Sequence, residues 1–192
     1  TYGNYYLTKK KYYQSLRIFN ELLDLDNCNI EALVKIATIY ERVDEIEKSL
    51  YYVRKVLEQE SDNKNILLTL GRINIKNNDT REAIRNLSRY NRRYKNDGEC
   101  LYELALLNKN MGKWRKSKKY FSKLLELNPN DWNSIYLMGE VLFEQKKYKK
   151  AFQYFTYSFE SNIKKNIIND YLGLCKFYLG HYDEALMFFE EN

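Results

Sequence analysis

A small residue recurs every 34 positions along the whole chain, and this period constrains the fold more than any other feature of the sequence. The recurring residues are Gly3, Ala37, Gly71, Ala105, Gly139 and Gly173. A second small residue follows twelve positions later in each copy, at Ser15, Ser49, Ala83, Ser117, Ala151 and Ala185. A bulky apolar residue comes four positions after that, at Phe19, Val53, Leu87, Phe121, Phe155 and Phe189. Because no insertion or deletion interrupts this register, the chain is an array of one repeating unit.

Each unit has the pattern of two amphipathic helices joined by a tight turn. Apolar residues recur at helical spacing in the first half of a copy, as at Leu33, Ile36, Ala37 and Tyr40. A short polar segment follows, such as 77–79 in the third copy, and then a second helical pattern begins. Asp44 with Glu47, and Asp79 with Glu82, have the spacing of a capping box and predict the start of the second helix. The small residues are expected where the two helices approach closely.

The period and the register of small and aromatic residues resemble the tetratricopeptide repeat, most closely in residues 98–131 and 132–165. The resemblance implies an all-α fold in which stacked helical hairpins form a right-handed α-α superhelix. It also implies that residues 1–192 form a single domain. The implied repeats are approximately 1–29 (partial), 30–63, 64–97, 98–131, 132–165 and 166–192 (partial). Since the first copy begins inside its first helix, we expect the sequence to be a fragment of a longer chain.

The resemblance also implies a function, because the first helices of such repeats line a concave groove that binds a peptide or helix of a partner protein. The positions implied for this groove in repeats four to six are Tyr102, Leu106, Lys109, Asn133, Tyr136, Glu140, Phe143, Asp170, Leu174, Phe177 and Tyr178. If Tyr136, Phe143, Phe177 and Tyr178 are exposed, they form an aromatic patch of the kind that dominates binding energy at peptide interfaces. The alternative is that these rings pack against a neighbouring repeat or against a C-terminal capping helix outside the given sequence.

The net charge of +6 is concentrated in the middle of the chain and is ordered along the predicted second helices. The basic residues at helical spacing there are Arg81, Arg85, Arg89, Arg92, Arg115, Lys119, Lys123 and Lys149. Stacked repeats would align them into a ladder on the outer, convex face, which could bind RNA or an acidic partner. A solvated helix face is the plainer interpretation. A third hypothesis is self-association through the uncapped terminal repeats.

The residue pattern predicts neither a catalytic site nor a metal site, and it implies no cofactor. The single histidine, His181, falls in a predicted turn, where we expect it to be exposed. The widely spaced Cys28, Cys100 and Cys175 predict buried, reduced thiols rather than a disulfide framework, which favours a cytoplasmic location. No apolar run approaches the length of a membrane helix, so no membrane insertion is expected.

Overall fold

The computed structural model describes residues 2–160 and 165–190, and every regular element in them is an α-helix. These helices are α1 (Tyr2–Thr8), α2 (Tyr12–Leu25), α3 (Ile30–Arg42), α4 (Ile46–Gln59), α5 (Lys64–Lys76), α6 (Thr80–Arg93), α7 (Gly98–Asn110), α8 (Trp114–Leu127), α9 (Trp132–Glu144), α10 (Tyr148–Phe159), α11 (Lys165–Tyr178) and α12 (Tyr182–Glu190). Each odd-numbered helix packs against the even-numbered helix that follows it. The prediction of an all-α chain of helical hairpins is therefore confirmed.

The chain divides into two compact units, unit 1 (Thr1–Lys95) and unit 2 (Asn96–Asn192). Unit 1 contains α1 to α6, and its buried residues include Phe19, Ile36 and Val53. Unit 2 contains α7 to α12 around a core that includes Phe121 and Phe155. Each unit thus holds three of the predicted repeats, and the continuity of all six in a single solenoid stays a prediction.

A residue in the left-handed conformation closes the turn of every hairpin, and these residues share the period of the sequence. They are Lys10, Asp44, Asn78, Gly112, Lys146 and Gly180, with φ from +56° to +83°. The next residue donates its N–H back to the end of the first helix, as when Asp79 N bonds Asn74 O at 2.8 Å. Such bonds satisfy carbonyl groups at a helix C-terminus. The polar turns predicted between the two helices are confirmed.

The two capping predictions have different outcomes. Asp79 is the N-cap of α6, and its carboxylate accepts the N–H of Glu82 at 3.2 Å, as predicted. The prediction for Asp44 is wrong, because Asp44 occupies the left-handed turn position at φ +66° and Glu45 is the N-cap of α4. Asp and Asn tolerate this conformation better than most residues, so Asp44 suits the turn. At this position Asp44 precedes the N-cap residue and is therefore not the cap of α4.

The recurring small residues lie where the two helices of a hairpin are in contact. A Cβ atom on Gly139 would lie 2.7 Å from Cε1 of Phe155. In three of the hairpins a serine also donates its hydroxyl to the facing backbone carbonyl: Ser15 to Gly3, Ser49 to Ala37 and Ser117 to Ala105, at 2.7 to 2.9 Å. The close approach predicted from the sequence is confirmed, and only small side chains permit it.

The cysteines separate into two classes. Cys100 and Cys175 are fully buried, and burial raises the pKa of each thiol to about 12. The prediction of burial is wrong for Cys28, which is exposed because it lies in the loop between α2 and α3 and not on a helix face.

His181 is exposed, as expected for a turn residue, with Nδ1 3.3 Å from a carboxylate oxygen of Glu184. In the described part of the chain, no helix is long and apolar enough to cross a membrane. No group of three or more His, Cys, Asp or Glu residues in that part is placed to hold a metal ion.

Candidate partner-binding site

A half-buried polar cluster lies within the predicted groove, on the first helices of the hairpins in unit 2. Glu140 of α9 accepts hydrogen bonds through Oε1 from the hydroxyl groups of Tyr136, at 2.6 Å, and of Tyr171, at 3.3 Å. Lys109 of α7 forms an ion pair with Oε2 of the same carboxylate. Three helices therefore converge on one charge, and Lys109 neutralises it.

The phenols of this cluster are hydrogen-bond donors at physiological pH. Burial, reinforced by the hydrogen bond to Glu140, raises the pKa of Tyr136 well above its usual value. Burial and then the charge of Glu140 raise the pKa of Tyr171 to about 12. Both hydroxyl groups stay protonated, so they hold Glu140 in a fixed position.

Tyr136 supports the groove but does not form part of its exposed surface. Of the two alternatives left open by the sequence, Tyr136 takes the packed one, because only 7% of the residue is accessible to solvent. Its ring packs against Phe155 of α10 and Tyr171 of α11, with ring centroids 5.9 and 6.2 Å apart. The alternative of packing against a neighbouring repeat applies here, since α11 belongs to the following hairpin.

Two half-buried aromatic rings, Phe143 and Tyr148, and three exposed ones meet where α9 and α11 end and where α10 and α12 begin. We call Phe143, Tyr148, Phe177, Tyr178 and Tyr182 the aromatic cluster. Tyr148 and Tyr178 stack with ring centroids 4.6 Å apart and planes 11° apart, and Phe143 meets Tyr178 edge to face at 5.8 Å. Phe177 contacts both Tyr178 and Tyr182, and these three residues are 49%, 52% and 63% exposed. Of the two alternatives left open by the sequence, Phe177 and Tyr178 are exposed, and their role in binding stays a prediction.

Three tyrosines of this region were not among the groove residues inferred from the sequence. Tyr148 and Tyr182 begin the second helices of repeats five and six and are 34 positions apart. Both lie at the same repeat position as Trp114, which the sequence shows. That position indicated where the second helix begins and did not indicate a binding role. Tyr171 follows the predicted position Asp170. Only its contacts with Glu140 and Tyr136 of α9 show that it belongs to this site.

The remaining groove positions lie on the same three helices. Asn133 is exposed and donates its side-chain amide to the hydroxyl of the half-buried Tyr102, at 2.7 Å. Leu106 and Leu174 are half-buried, and Asp170 is exposed. These residues extend the face on both sides of the Lys109–Glu140 pair.

The predicted basic ladder has members in both units. In unit 1, Arg81, Arg85, Arg89 and Arg92 are all exposed on α6. Arg85 pairs with Glu82 at 3.1 Å and Arg89 with Asp62 at 2.5 Å, so part of this charge is neutralised locally. In unit 2, Arg115, Lys119 and Lys149 are exposed and Lys123 is half-buried. The alignment of the two groups into one ladder stays a prediction.

Several solved structures are similar to this chain over most of its length. The structure of YrrB, described as a TPR protein with an unusual peptide-binding site, aligns with a TM-score of 0.81 at 19% identity over 88% of each chain. The structure of pilF from Pseudomonas aeruginosa aligns with a TM-score of 0.78 at 21% identity, covering 97% of this chain and 85% of that one. A tetratricopeptide repeat protein from Parabacteroides merdae aligns with a TM-score of 0.72 at 16% identity, covering 98% and 75%.

Sequence comparison adds one partial match. The family model described as "Anaphase-promoting complex, cyclosome, subunit 3" matches residues 110–192, which is less than half of the chain. No curated protein matches the sequence. At the identities found, the structural similarities show the fold alone. The 34-residue period, the helical hairpins that carry it and these structural matches together show that the chain has the fold of tetratricopeptide-repeat proteins.

Proposed function

We propose that unit 2 is a protein-interaction scaffold that binds a peptide or helix of a partner protein on the face formed by α7, α9 and α11, with the aromatic cluster as its anchor. The observation that carries the proposal is the exposure of Phe177 and Tyr178, each about half accessible although both touch other rings. Large aromatic groups in such positions supply much of the binding energy at protein interfaces.

The arrangement of the rings favours binding because it is preorganised. Tyr178 is fixed between its stacking partner Tyr148 and the edge of Phe143. A side chain that is already ordered loses little conformational freedom when a ligand covers it. We therefore infer that covering the cluster yields more net affinity than covering the same area of mobile side chains.

The polar cluster beside the rings indicates which partner side chains suit this face. Lys109 and Glu140 neutralise each other, and Tyr136 and Tyr171 already occupy one oxygen of Glu140. A charged partner group would have to displace these contacts, and breaking a partly buried pair would leave one charge without its partner, which is unfavourable. We infer that apolar partner side chains contact the aromatic cluster, and that the centre of the face accepts neutral groups.

The tetratricopeptide fold supports the general class of function, since such proteins act typically as scaffolds without catalysis. The peptide-binding site named for YrrB belongs to that protein, and it supports only the kind of ligand proposed here. We accordingly propose no catalytic activity for this chain.

A binding experiment with paired variants tests the proposal. The test variant carries Phe177→Ser and Tyr178→Ser, and the control carries Tyr2→Ser and Tyr13→Ser, which are exposed aromatic residues of unit 1. Proteins captured by the wild-type chain are identified by mass spectrometry, and the bound segment is then measured as a synthetic peptide by calorimetry. Loss of two anchor rings is expected to weaken binding at least about tenfold, or ~1.4 kcal/mol.

The control decides the interpretation. We expect the Tyr2 and Tyr13 variant to bind like the wild type, and both variants to keep the wild-type circular dichroism. The proposal is wrong if the Phe177 and Tyr178 variant retains the same partners with the same affinity. Material that disappears after nuclease treatment would instead support the second candidate, an RNA-binding role for the basic residues.

A further inference from the structure

A basic cleft lies between the turns of repeats four and five, where α8 and α10 begin. Its volume is about 630 Å³. The residues that line it are Gly112, Lys113, Trp114, Arg115, Lys116, Gln145 and Lys147. Four of these side chains are cationic and none is acidic, so the cleft favours an anionic ligand.

The charges of the cleft oppose the normal preference of a helix N-terminus. The partial positive charge at that end favours Asp and Glu, and the first turns of α4, α6 and α12 contain Glu47, Glu82, and Asp183 with Glu184. The first turns of α8 and α10 contain no acidic residue. Their N-cap residues are Lys113 and Lys147, whose side chains make no capping hydrogen bond. Although α2 also lacks an acid in its first turn, the cleft is lined by the first turn of α8 and by Lys147, the N-cap residue of α10.

Among the residues that the structure describes, no carboxylate pairs with these cations. In the part of the chain that the structure describes, Lys113, Arg115, Lys116 and Lys147 form no ion pair. Lys147 donates to the neutral amide oxygen of Gln145 at 2.9 Å, which orients its ammonium group without cancelling the charge. The sequence contains no Asp or Glu in 104–125 or in 145–159. The arginines of α6 differ, since Arg85 and Arg89 have acidic partners.

The cleft adjoins the aromatic cluster, because Lys147 immediately precedes Tyr148. An anion site and an apolar site therefore lie side by side at one edge of unit 2. A peptide with a charged residue close to apolar residues matches both. The rings nearest the cleft suit nucleic acid less well, because bases need free aromatic faces for stacking. The faces of Tyr148 and Tyr178 cover each other, and Trp114 packs against the core of unit 2.

We propose that the cleft binds a phosphorylated side chain of a partner peptide whose apolar residues contact the aromatic cluster. A phosphate group carries nearly two negative charges and three strong acceptor oxygens at neutral pH. Four cations and the N-terminus of α8, whose N-cap side chain makes no capping hydrogen bond, supply the matching positive charge and donors. A carboxylate carries half this charge and fewer acceptor atoms. The proposal rests on the proposed function in that the ligand is a peptide.

The experiment measures the affinity of the full chain for a labelled synthetic peptide with a single phosphoserine beside two leucines. Fluorescence anisotropy is recorded for this peptide, for its unphosphorylated form, and with inorganic phosphate as competitor. The test variant is Lys113→Gln with Lys147→Gln. The control is Lys119→Gln with Lys149→Gln, which removes the same charge from exposed positions that do not line the cleft.

We expect phosphorylation to strengthen binding at least about tenfold, and the test variant to lose this gain while the control keeps it within about twofold. Inorganic phosphate should compete. Equal affinity for both forms of the peptide would overturn the proposal, and so would equal losses in the two variants. Tighter binding of a single-stranded oligonucleotide, with equal losses in both variants, would overturn it in favour of nucleic acid.

The Phe177→Ser, Tyr178→Ser variant separates this proposal from the proposed function. If that variant loses affinity and the Lys113, Lys147 variant does not, the cleft proposal fails and the groove proposal stands. If binding stays phosphate-dependent and the aromatic variant keeps its affinity, the groove proposal fails and the cleft proposal stands.

Discussion

Substitution of Gly139 by alanine tests whether the close contact between the two helices of a hairpin stabilises unit 2. A Cβ atom on Gly139 would lie 2.7, 2.9 and 3.0 Å from Cε1, Cδ1 and Cζ of Phe155. Phe155 is fully buried, and its ring stacks on Tyr171 with centroids 4.6 Å apart, so the ring cannot move without disturbing the core. The new methyl group therefore overpacks the contact.

The expected magnitude follows from two opposing effects. Overpacking a core destabilises by about 1–3 kcal/mol, whereas replacing a helical glycine by alanine stabilises by about 1 kcal/mol. Repeat four, where Ala105 occupies the same position opposite Phe121, indicates that a small shift of the helices can accommodate a methyl group. The two effects leave a net loss of about 0–2 kcal/mol, and we expect Gly139→Ala to lower the free energy of unfolding by about 1 kcal/mol, the middle of this range.

Gly173→Ala is the matched control, because it places a Cβ atom equally close to a ring that can move. The distances to Phe189 are 2.5 to 2.9 Å, but Phe189 is 39% exposed and can rotate toward solvent. This variant should have the stability of the wild type or be up to about 1 kcal/mol more stable.

Urea unfolding followed by tryptophan fluorescence suits this comparison, since both tryptophans, Trp114 and Trp132, lie in unit 2 with the two glycines. Circular dichroism on the same samples reports all the helices, and differing midpoints would show that the units unfold separately. The reasoning is refuted if Gly139→Ala is as stable as the wild type, or if it loses no more stability than Gly173→Ala.

Two further predictions concern the thiols and the helix termini. At about pH 8 a thiol reagent should modify Cys28 rapidly and leave Cys100 and Cys175 unmodified until urea exposes them. The reason is that burial raises the pKa of both thiols to about 12 and blocks access to them. Rapid modification of more than one thiol in the native protein would contradict this prediction. Lys116→Glu and Lys150→Glu, each at the third position of its helix, should raise the free energy of unfolding by about 0.3–1 kcal/mol apiece in low salt. A loss of stability at low salt in the same urea titration would show that the dipole argument is wrong.

The hairpins and their turns were predictable because close helix packing excludes most residue types. Only a small residue fits opposite Phe155, which is why Gly139 and its equivalents recur at a fixed interval. The turn of each hairpin needs a residue in the left-handed conformation, so residues that tolerate it, such as Asn78 and Gly112, recur at the same 34-residue interval. Asp44 was misassigned because an acid in a polar segment suits both a cap and a turn, and local sequence does not distinguish them.

The candidate site was predictable only in part, since exposure depends on neighbouring repeats. Tyr136 and Phe177 both lie off the apolar stripe of their own helices, yet one is buried and the other is half exposed. The difference arises because α10 and α11 cover Tyr136, including Tyr171 of the following hairpin. No periodicity within a single repeat contains this information.

The sequence by itself determined the repeating unit, its two helices and the positions where they touch, because these depend on residue size and spacing within about 34 residues of chain. The tertiary structure alone decided that Lys109 neutralises Glu140, that Tyr148 and Tyr178 stack, and that the cations beside Trp114 line one cleft. Each of these features joins residues of different hairpins or different turns. Their geometry follows from how the hairpins pack against one another in unit 2. That packing is determined by many weak contacts acting together, and no local sequence pattern specifies them.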